Sequence, residues 1–198
     1  MKEREKRIFT IPNLLSCLRL LLIPFFVGEY LGAAGPGDYG RAALIILASG
    51  ATDLLDGYIA RRFDCITELG KTLDPVADKL TQAAILLCLL LRYRLMLILV
   101  GILAARDLFM AVNGLILLRR GKKLNGASWF GKMSTAVFYA ASVILIAFPG
   151  LPAALASGIM LVVGGCLLLS FLLYIPLFIQ MYQSGKSAVT GQKERERI

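Results

Sequence analysis

Four aspartates carry the chemistry this sequence can offer. Asp53 and Asp56 stand three residues apart and Asp74 and Asp78 four apart, within the stretch DLLDGYIARRFDCITELGKTLDPVADKL that runs from Asp53 to Leu80. On a helix either spacing puts both carboxylates on one face. Each pair adjoins a run apolar enough to lie in a membrane, where an unpaired carboxylate costs roughly 2.5–3.5 kcal/mol to insert. Carboxylates so close also repel one another unless a cation holds them. The sequence has no histidine, which excludes imidazole ligation and imidazole acid–base catalysis and leaves oxygen ligands. Oxygen-only sets suit Mg2+ or Mn2+, and four acids provide for two such ions. Gly57 and Ala60 share the face of Asp53 and Asp56 and leave room for a bulky ligand beside the backbone. Arg61, next to that face, supplies a charge suited to a phosphate.

The rest of the chain must hold those faces together. Its 198 residues are 58% hydrophobic, with a mean hydropathy of +0.72, and the apolar residues form long runs rather than amphipathic stripes. A soluble protein of this size has too little interior for such runs, so the composition predicts an all-α integral membrane protein. We expect a charged juxtamembrane arm at 1–10, six transmembrane helices within 11–181, and a polar, frayed tail at 182–198. The spans are expected at about 11–34, 41–59, 74–91, 95–118, 133–148 and 153–181, with a polar connection at 61–73 and a basic loop at 119–132. Cys17, Cys65, Cys88 and Cys166 are scattered without C-x-x-C spacing, so neither a zinc site nor a disulfide framework is indicated.

The net charge of +9 belongs to the membrane rather than to nucleic acid. With six spans, Arg41, Arg92 and Arg94 are the only members of the 22 Lys and Arg residues on one side, Arg19 and Arg106 lie within spans, and all the others share the opposite side. The positive-inside rule makes that basic side cytosolic, together with both termini and the four aspartates, in a multi-pass cell-membrane protein.

The spacing Asp53-x2-Asp56-Gly57-x2-Ala60-Arg61-x8-Gly70-x3-Asp74-x3-Asp78 resembles the full signature of the CDP-alcohol phosphotransferases (CDP-alcohol phosphatidyltransferases). The likeness extends from TIPNLL near the start to GKMSTA after the basic loop, over roughly residues 8–145. It implies a six-helix membrane enzyme that binds CDP-diacylglycerol at the cytosolic face, and it suggests a homodimer. Carried over by position, Asp53, Asp56, Asp74 and Asp78 hold two divalent cations, Mg2+ or Mn2+, with Asp78 also the general base. Gly57, Ala60, Arg61 and Gly70 line the cytidine and diphosphate site.

The acceptor is less sharply written. Arg106 is a second charge inside a span, and Lys132 follows Gly131 near the start of another; a phosphate-bearing acceptor alcohol would explain both. Asp107 is a poor partner for Arg106, because adjacent helical residues point about 100° apart. Within the family, the opening and LDPVADK resemble the phosphatidylglycerophosphate synthases, which use glycerol 3-phosphate. ARDLFMAVNG is closer to cardiolipin synthases of the same fold, which use phosphatidylglycerol. Trp129, Tyr93 and Tyr174 are candidate anchors at the membrane interface. Gly28, Gly32, Gly158, Gly164 and Gly165 are candidates for close helix packing, and Asn13 and Arg19 are weaker candidates for contacting substrate. A rival class is a cation or proton transporter, since acids within membranes also mark ion pathways. Against it, these acids crowd at one hairpin instead of being spread at mid-depth.

Overall fold

The protein, represented by a computed structural model, is described over residues 10–62, 68–119 and 129–195. Those residues form six helices: α1 (Ile11–Leu31), α2 (Tyr39–Arg62), α3 (Glu68–Leu90), α4 (Met96–Arg119), α5 (Trp129–Ala147) and α6 (Ala153–Arg195). The arm at 1–9 and the centre of the basic loop, 120–128, lie outside the described residues.

The distribution of side chains is that of a molecule dissolved in lipid. Leu14, Leu21, Phe25, Leu44, Leu87, Leu97, Leu108 and Leu161 point outward, while Asn13, Ser16, Arg19, Asp56, Thr81, Gln82 and Arg106 are buried. Water would reverse that pattern, because apolar burial is its main driving force; hydrocarbon instead requires polar groups to find partners inside. Segments of α1, α4, α5 and α6 are each long and apolar enough to cross a membrane. Helices α2 and α3 are of comparable length, but charged residues crowd the end of α2 and the start of α3. The chain is an all-α integral membrane protein.

Three boundaries differ from the sequence reading. Helix α3 starts at Glu68 and continues through Pro75, so Asp74 and Asp78 lie within the helix instead of opening it. Proline removes one backbone hydrogen bond there, a loss that packed membrane helices tolerate better than exposed ones. Helix α5 starts at Trp129, which places Lys132 in its first turn. Helix α6 runs on to Arg195 where a frayed tail was expected; its Lys, Ala, Gln and Glu residues are adequate helix formers and no proline interrupts 182–195.

The chain divides into two compact units, Met1–Met96 with Tyr139–Ser157, and Leu97–Phe138 with Gly158–Ile198. In the first unit α1 packs against both α2 and α3. Its Ser16, Arg19, Phe26 and Tyr30 are buried and fall within about 80° of one another around the helix axis. Small residues, Ala42 and Ala43 on α2 and Ala77 and Ala84 on α3, are buried with them and permit close approach of helix backbones. At the far end of α1 from Arg19, the turn before α2 is closed by Asp38, whose carboxylate accepts from the N–H groups of Gly35 and Ala34. Those two bonds, Gly35 first, hold its pKa below the usual carboxylate range. Arg92, in the α3–α4 hairpin, donates to the carbonyl of Pro149 at 2.5 Å, and its guanidinium lies 5.4 Å from the centre of the Tyr39 ring.

In the second unit, Leu117, Tyr174 and Phe178 form a buried cluster, with Phe130 edge-on to Tyr174 at 4.8 Å between ring centres. Tyr174 is therefore a core residue and not an interface anchor; Trp129, by contrast, is exposed. Among the glycines singled out for packing, a Cβ on Gly164 would press on Leu99, and one on Gly28, Gly158 or Gly165 would meet open space. The decisive glycine is Gly131, where a Cβ would run into the hydroxyl end of Tyr174. A buried aromatic ring cannot swing aside as a lysine tip would. Gly131→Ala is expected to destabilise the protein by about 1–3 kcal/mol, the usual range for overpacking. A thermal melt in detergent showing unchanged stability would contradict this.

Candidate active site

Within the first unit, α1, α2 and α3 each bring one part of the site. The last turns of α2 present Asp53 and Asp56, and α3 presents Asp74 and Asp78. Between them stands a residue from α1. Arg19 is 1% exposed, and its Nη2 lies 2.8 Å from a carboxylate oxygen of Asp53 and 2.5 Å from one of Asp56. Its Nη1 donates to Asp78. One guanidinium thus ties together carboxylates from two helices. One turn earlier on α1, the Ser16 hydroxyl donates to Asp74. Every acid of the sequence motif therefore meets a side chain of α1.

The four acids are not equivalent. The Asp53 and Asp78 side chains are 48% and 46% exposed, whereas Asp56 is 5% exposed. A ligand arriving from outside meets Asp53 and Asp78 first, and Asp56 forms the floor. Gly70 is buried on α3. Gly57, Ala60 and Arg61 continue α2 beyond Asp56, and their side chains lie outside the described residues.

Among the described residues, no three acids already form a metal cage. The donor set nevertheless suits hard divalent cations: it is all oxygen, and a cationic group already sits among three of its carboxylates. Three carboxylates share that single guanidinium and Asp74 is held beside them by Ser16, so the cluster still has negative charge to balance when ionised.

Two further polar groups sit one turn beyond Asp78. Thr81 Oγ1 and Gln82 Nε2 are buried without hydrogen-bond partners. Thr81 and Ser49 line a small crevice between α1, α2 and α3, otherwise walled by Leu22, Ile23, Phe26, Ile45, Ile46 and Ala84. Sequence reasoning missed Ser16, Thr81 and Gln82. Their only signal is register, since Thr81 lies three and Gln82 four residues after Asp78.

Arg106 belongs to the second unit, where it is buried on α4. Its Nη1 donates to Ser134 Oγ at 3.1 Å, and its Nε and Nη2 donate to Asp107 at 3.3 and 3.2 Å. The expectation that neighbouring residues pair poorly is thus corrected: the long arginine side chain folds back so that its fork reaches across the 100° between them. Ser134 in turn donates to the carbonyl of Gly131, which fixes its hydroxyl as the acceptor for Arg106. Lys132 is exposed in the first turn of α5.

With this geometry in view, comparison with known proteins is decisive on family. The model of the CDP-alcohol phosphatidyltransferase family matches residues 9–182. The chain belongs to that family. A cardiolipin synthase (CMP-forming) of Streptomyces coelicolor is 38% identical over 136 residues, covering 68% of this chain and 63% of the relative. A cardiolipin synthase (CMP-forming)/mitochondrial hydrolase fusion protein of Schizosaccharomyces pombe is 40% identical over 107 residues, 54% of this chain and 17% of the relative. A CDP-diacylglycerol–glycerol-3-phosphate 3-phosphatidyltransferase of Escherichia coli K12 is 34% identical over 130 residues, 64% of this chain and 71% of the relative. The match therefore spans less than two thirds of the two synthases and somewhat more of the E. coli enzyme. As a CDP-alcohol phosphatidyltransferase family member, the chain carries all eight signature residues from Asp53 to Asp78.

Proposed function

We propose that this membrane protein transfers a phosphatidyl group from CDP-diacylglycerol to glycerol 3-phosphate and releases CMP. The observation that carries the reading is the gathering of Asp53, Asp56 and Asp78 around one buried guanidinium, with Asp74 held beside them by Ser16. Such a concentration of carboxylates at a helix hairpin suits a cation-assisted reaction of a diphosphate.

The acceptor hydroxyl forms a new bond to the β-phosphorus of the donor. The bond from that phosphorus to the oxygen bridging the two phosphates breaks, and that oxygen leaves with CMP. The acceptor proton passes to Asp78, which is open enough to be reached, unlike Asp56. Gly57, Ala60, Arg61 and Gly70 are assigned to the nucleotide and diphosphate. Two divalent cations, Mg2+ or Mn2+, held by Asp53, Asp56, Asp74 and Asp78, would neutralise the charge of the diphosphate and of the departing CMP. Arg106 and Lys132 are assigned to the phosphate of the acceptor. The bias of Lys and Arg puts both termini and the acids at the cytosolic face, where a soluble acceptor and a lipid donor can meet.

A second acceptor, phosphatidylglycerol, is favoured by the ARDLFMAVNG segment and by the name of the S. coelicolor relative. One assay separates the readings: purified protein with CDP-diacylglycerol, Mg2+ or Mn2+, and each acceptor alone. Release of CMP with glycerol 3-phosphate is expected. Release only with phosphatidylglycerol would select the second acceptor, and no CMP with any alcohol would overturn phosphatidyl transfer altogether.

A further inference from the structure

Arg19 is hard to explain as a simple structural ion pair. It is the largest fully buried side chain among the described residues, yet its fork is incompletely used. Nη1 and Nη2 serve Asp78, Asp53 and Asp56, while Nε is buried without an acceptor. Buried arginine donors normally find partners, since a lost one forfeits hydration without replacement. The side chain therefore satisfies the acids at the expense of its own third edge.

We propose that Arg19 is an internal counter-ion that competes with divalent cations for Asp53, Asp56 and Asp78 and gives these carboxylates up as the cations bind. The proposal rests on reading the four aspartates as metal ligands, and concerns what holds them together beforehand. Carboxylates from α2 and α3 would repel one another in a bare site, and the guanidinium offsets part of that repulsion. It also occupies oxygens that a cation needs, and its own charge opposes a dication placed beside it. Both effects weaken metal binding in the absence of substrate. The Ser16 to Asp74 bond keeps α1 in register on α3, so Arg19 can withdraw by side-chain rotation with the helix in place. A withdrawn guanidinium still requires an anion in so dry a setting. The donor diphosphate supplies one whose oxygens match the planar fork, Nε–H included. Cation and donor binding are thereby coupled: full occupancy by metal is favoured once a diphosphate is present to receive Arg19.

The test is Mn2+ binding to the purified full chain in detergent without substrate, followed by electron paramagnetic resonance of the free ion. Wild type is compared with Arg19→Gln, Arg19→Lys and Asp56→Asn. Arg19→Gln is expected to bind Mn2+ at least about tenfold more tightly than wild type, and to gain more thermal stability from it. A merely structural arginine would give the reverse, because its loss would loosen the site. Arg19→Lys keeps the charge but cannot span the acids, so its affinity is expected to lie between the two. Should Arg19→Gln fold only with Mn2+ present, it can be purified so and titrated with chelator, and the lysine variant read independently. Affinity in either variant equal to or below that of wild type overturns the role of Arg19 while leaving metal binding intact. Absence of Mn2+ binding by wild type and both Arg19 variants would overturn the metal-ligand reading itself. Asp56→Asn sets the background, as loss of a ligand should weaken Mn2+ binding.

Discussion

Asp56→Asn is expected to lower CMP release by about a thousandfold or more, equivalent to ~4 kcal/mol of transition-state stabilisation. Asn preserves the volume and one oxygen but removes the charge at the floor of the acid cluster, where Asp56 is 5% exposed and 2.5 Å from Arg19. Losing one donor from a pre-arranged electrostatic site commonly costs a hundred- to a thousandfold, and the role proposed for Asp56, ligand to a dication, puts its loss at the upper end of that range. The fold should survive. Removing one member of a buried pair typically costs about 3–5 kcal/mol because a charge is stranded, yet Arg19 retains Asp53 and Asp78. A melting temperature near wild type with activity nearly gone is the expected pattern. Activity within tenfold of wild type would remove Asp56 from the reaction.

The spacing of the acids was legible because helical periodicity is local: two residues three or four apart share a face whatever the rest of the chain does. Membrane character was equally open, since the apolar runs leave no soluble alternative. The partner of the acids was not. Arg19 lies 34 residues before Asp53 by the numbering, and nothing in LLSCLRLLL says which way its guanidinium turns once α1 packs on α2 and α3. The same holds for Ser16, a hydroxyl that in a membrane helix could as well bond to its own backbone.

Other misreadings share that origin. Tyr174 looks like an interface residue by type, and only the approach of Gly131 and Phe130 shows it to be core. The pairing of Arg106 with Asp107 was discounted from backbone directions alone, a rule that long side chains escape. Helix ends were misplaced where proline and charge suggest a boundary but packing carries the helix onward, as at Pro75 in α3. Local pattern thus marked the candidate acids, while their environment waited on tertiary structure.

Arg106→Lys is expected to raise the KM for glycerol 3-phosphate by about 10–100-fold with much less change in kcat. The substitution keeps the charge but loses the planar fork. Lysine cannot reproduce the donors now divided between Ser134 and Asp107, nor offer two parallel N–H groups to a phosphate. Loss of a charge-assisted hydrogen bond is worth about 1.5–3 kcal/mol, and loss of binding shared by ground and transition states appears in KM. The apparent affinity for CDP-diacylglycerol should stay near wild type, since the donor is assigned to α2 and α3. Asp107 sharpens the test. It balances Arg106 in the absence of acceptor, with a side chain 24% exposed that can turn away when a phosphate takes its place. Asp107→Asn should therefore lower the acceptor KM or leave it unchanged, opposite in sign to the arginine variant. If Arg106 and Asp107 form only a structural pair, both variants should lose thermal stability and impair donor and acceptor kinetics alike. That shared loss would move the acceptor phosphate site away from α4.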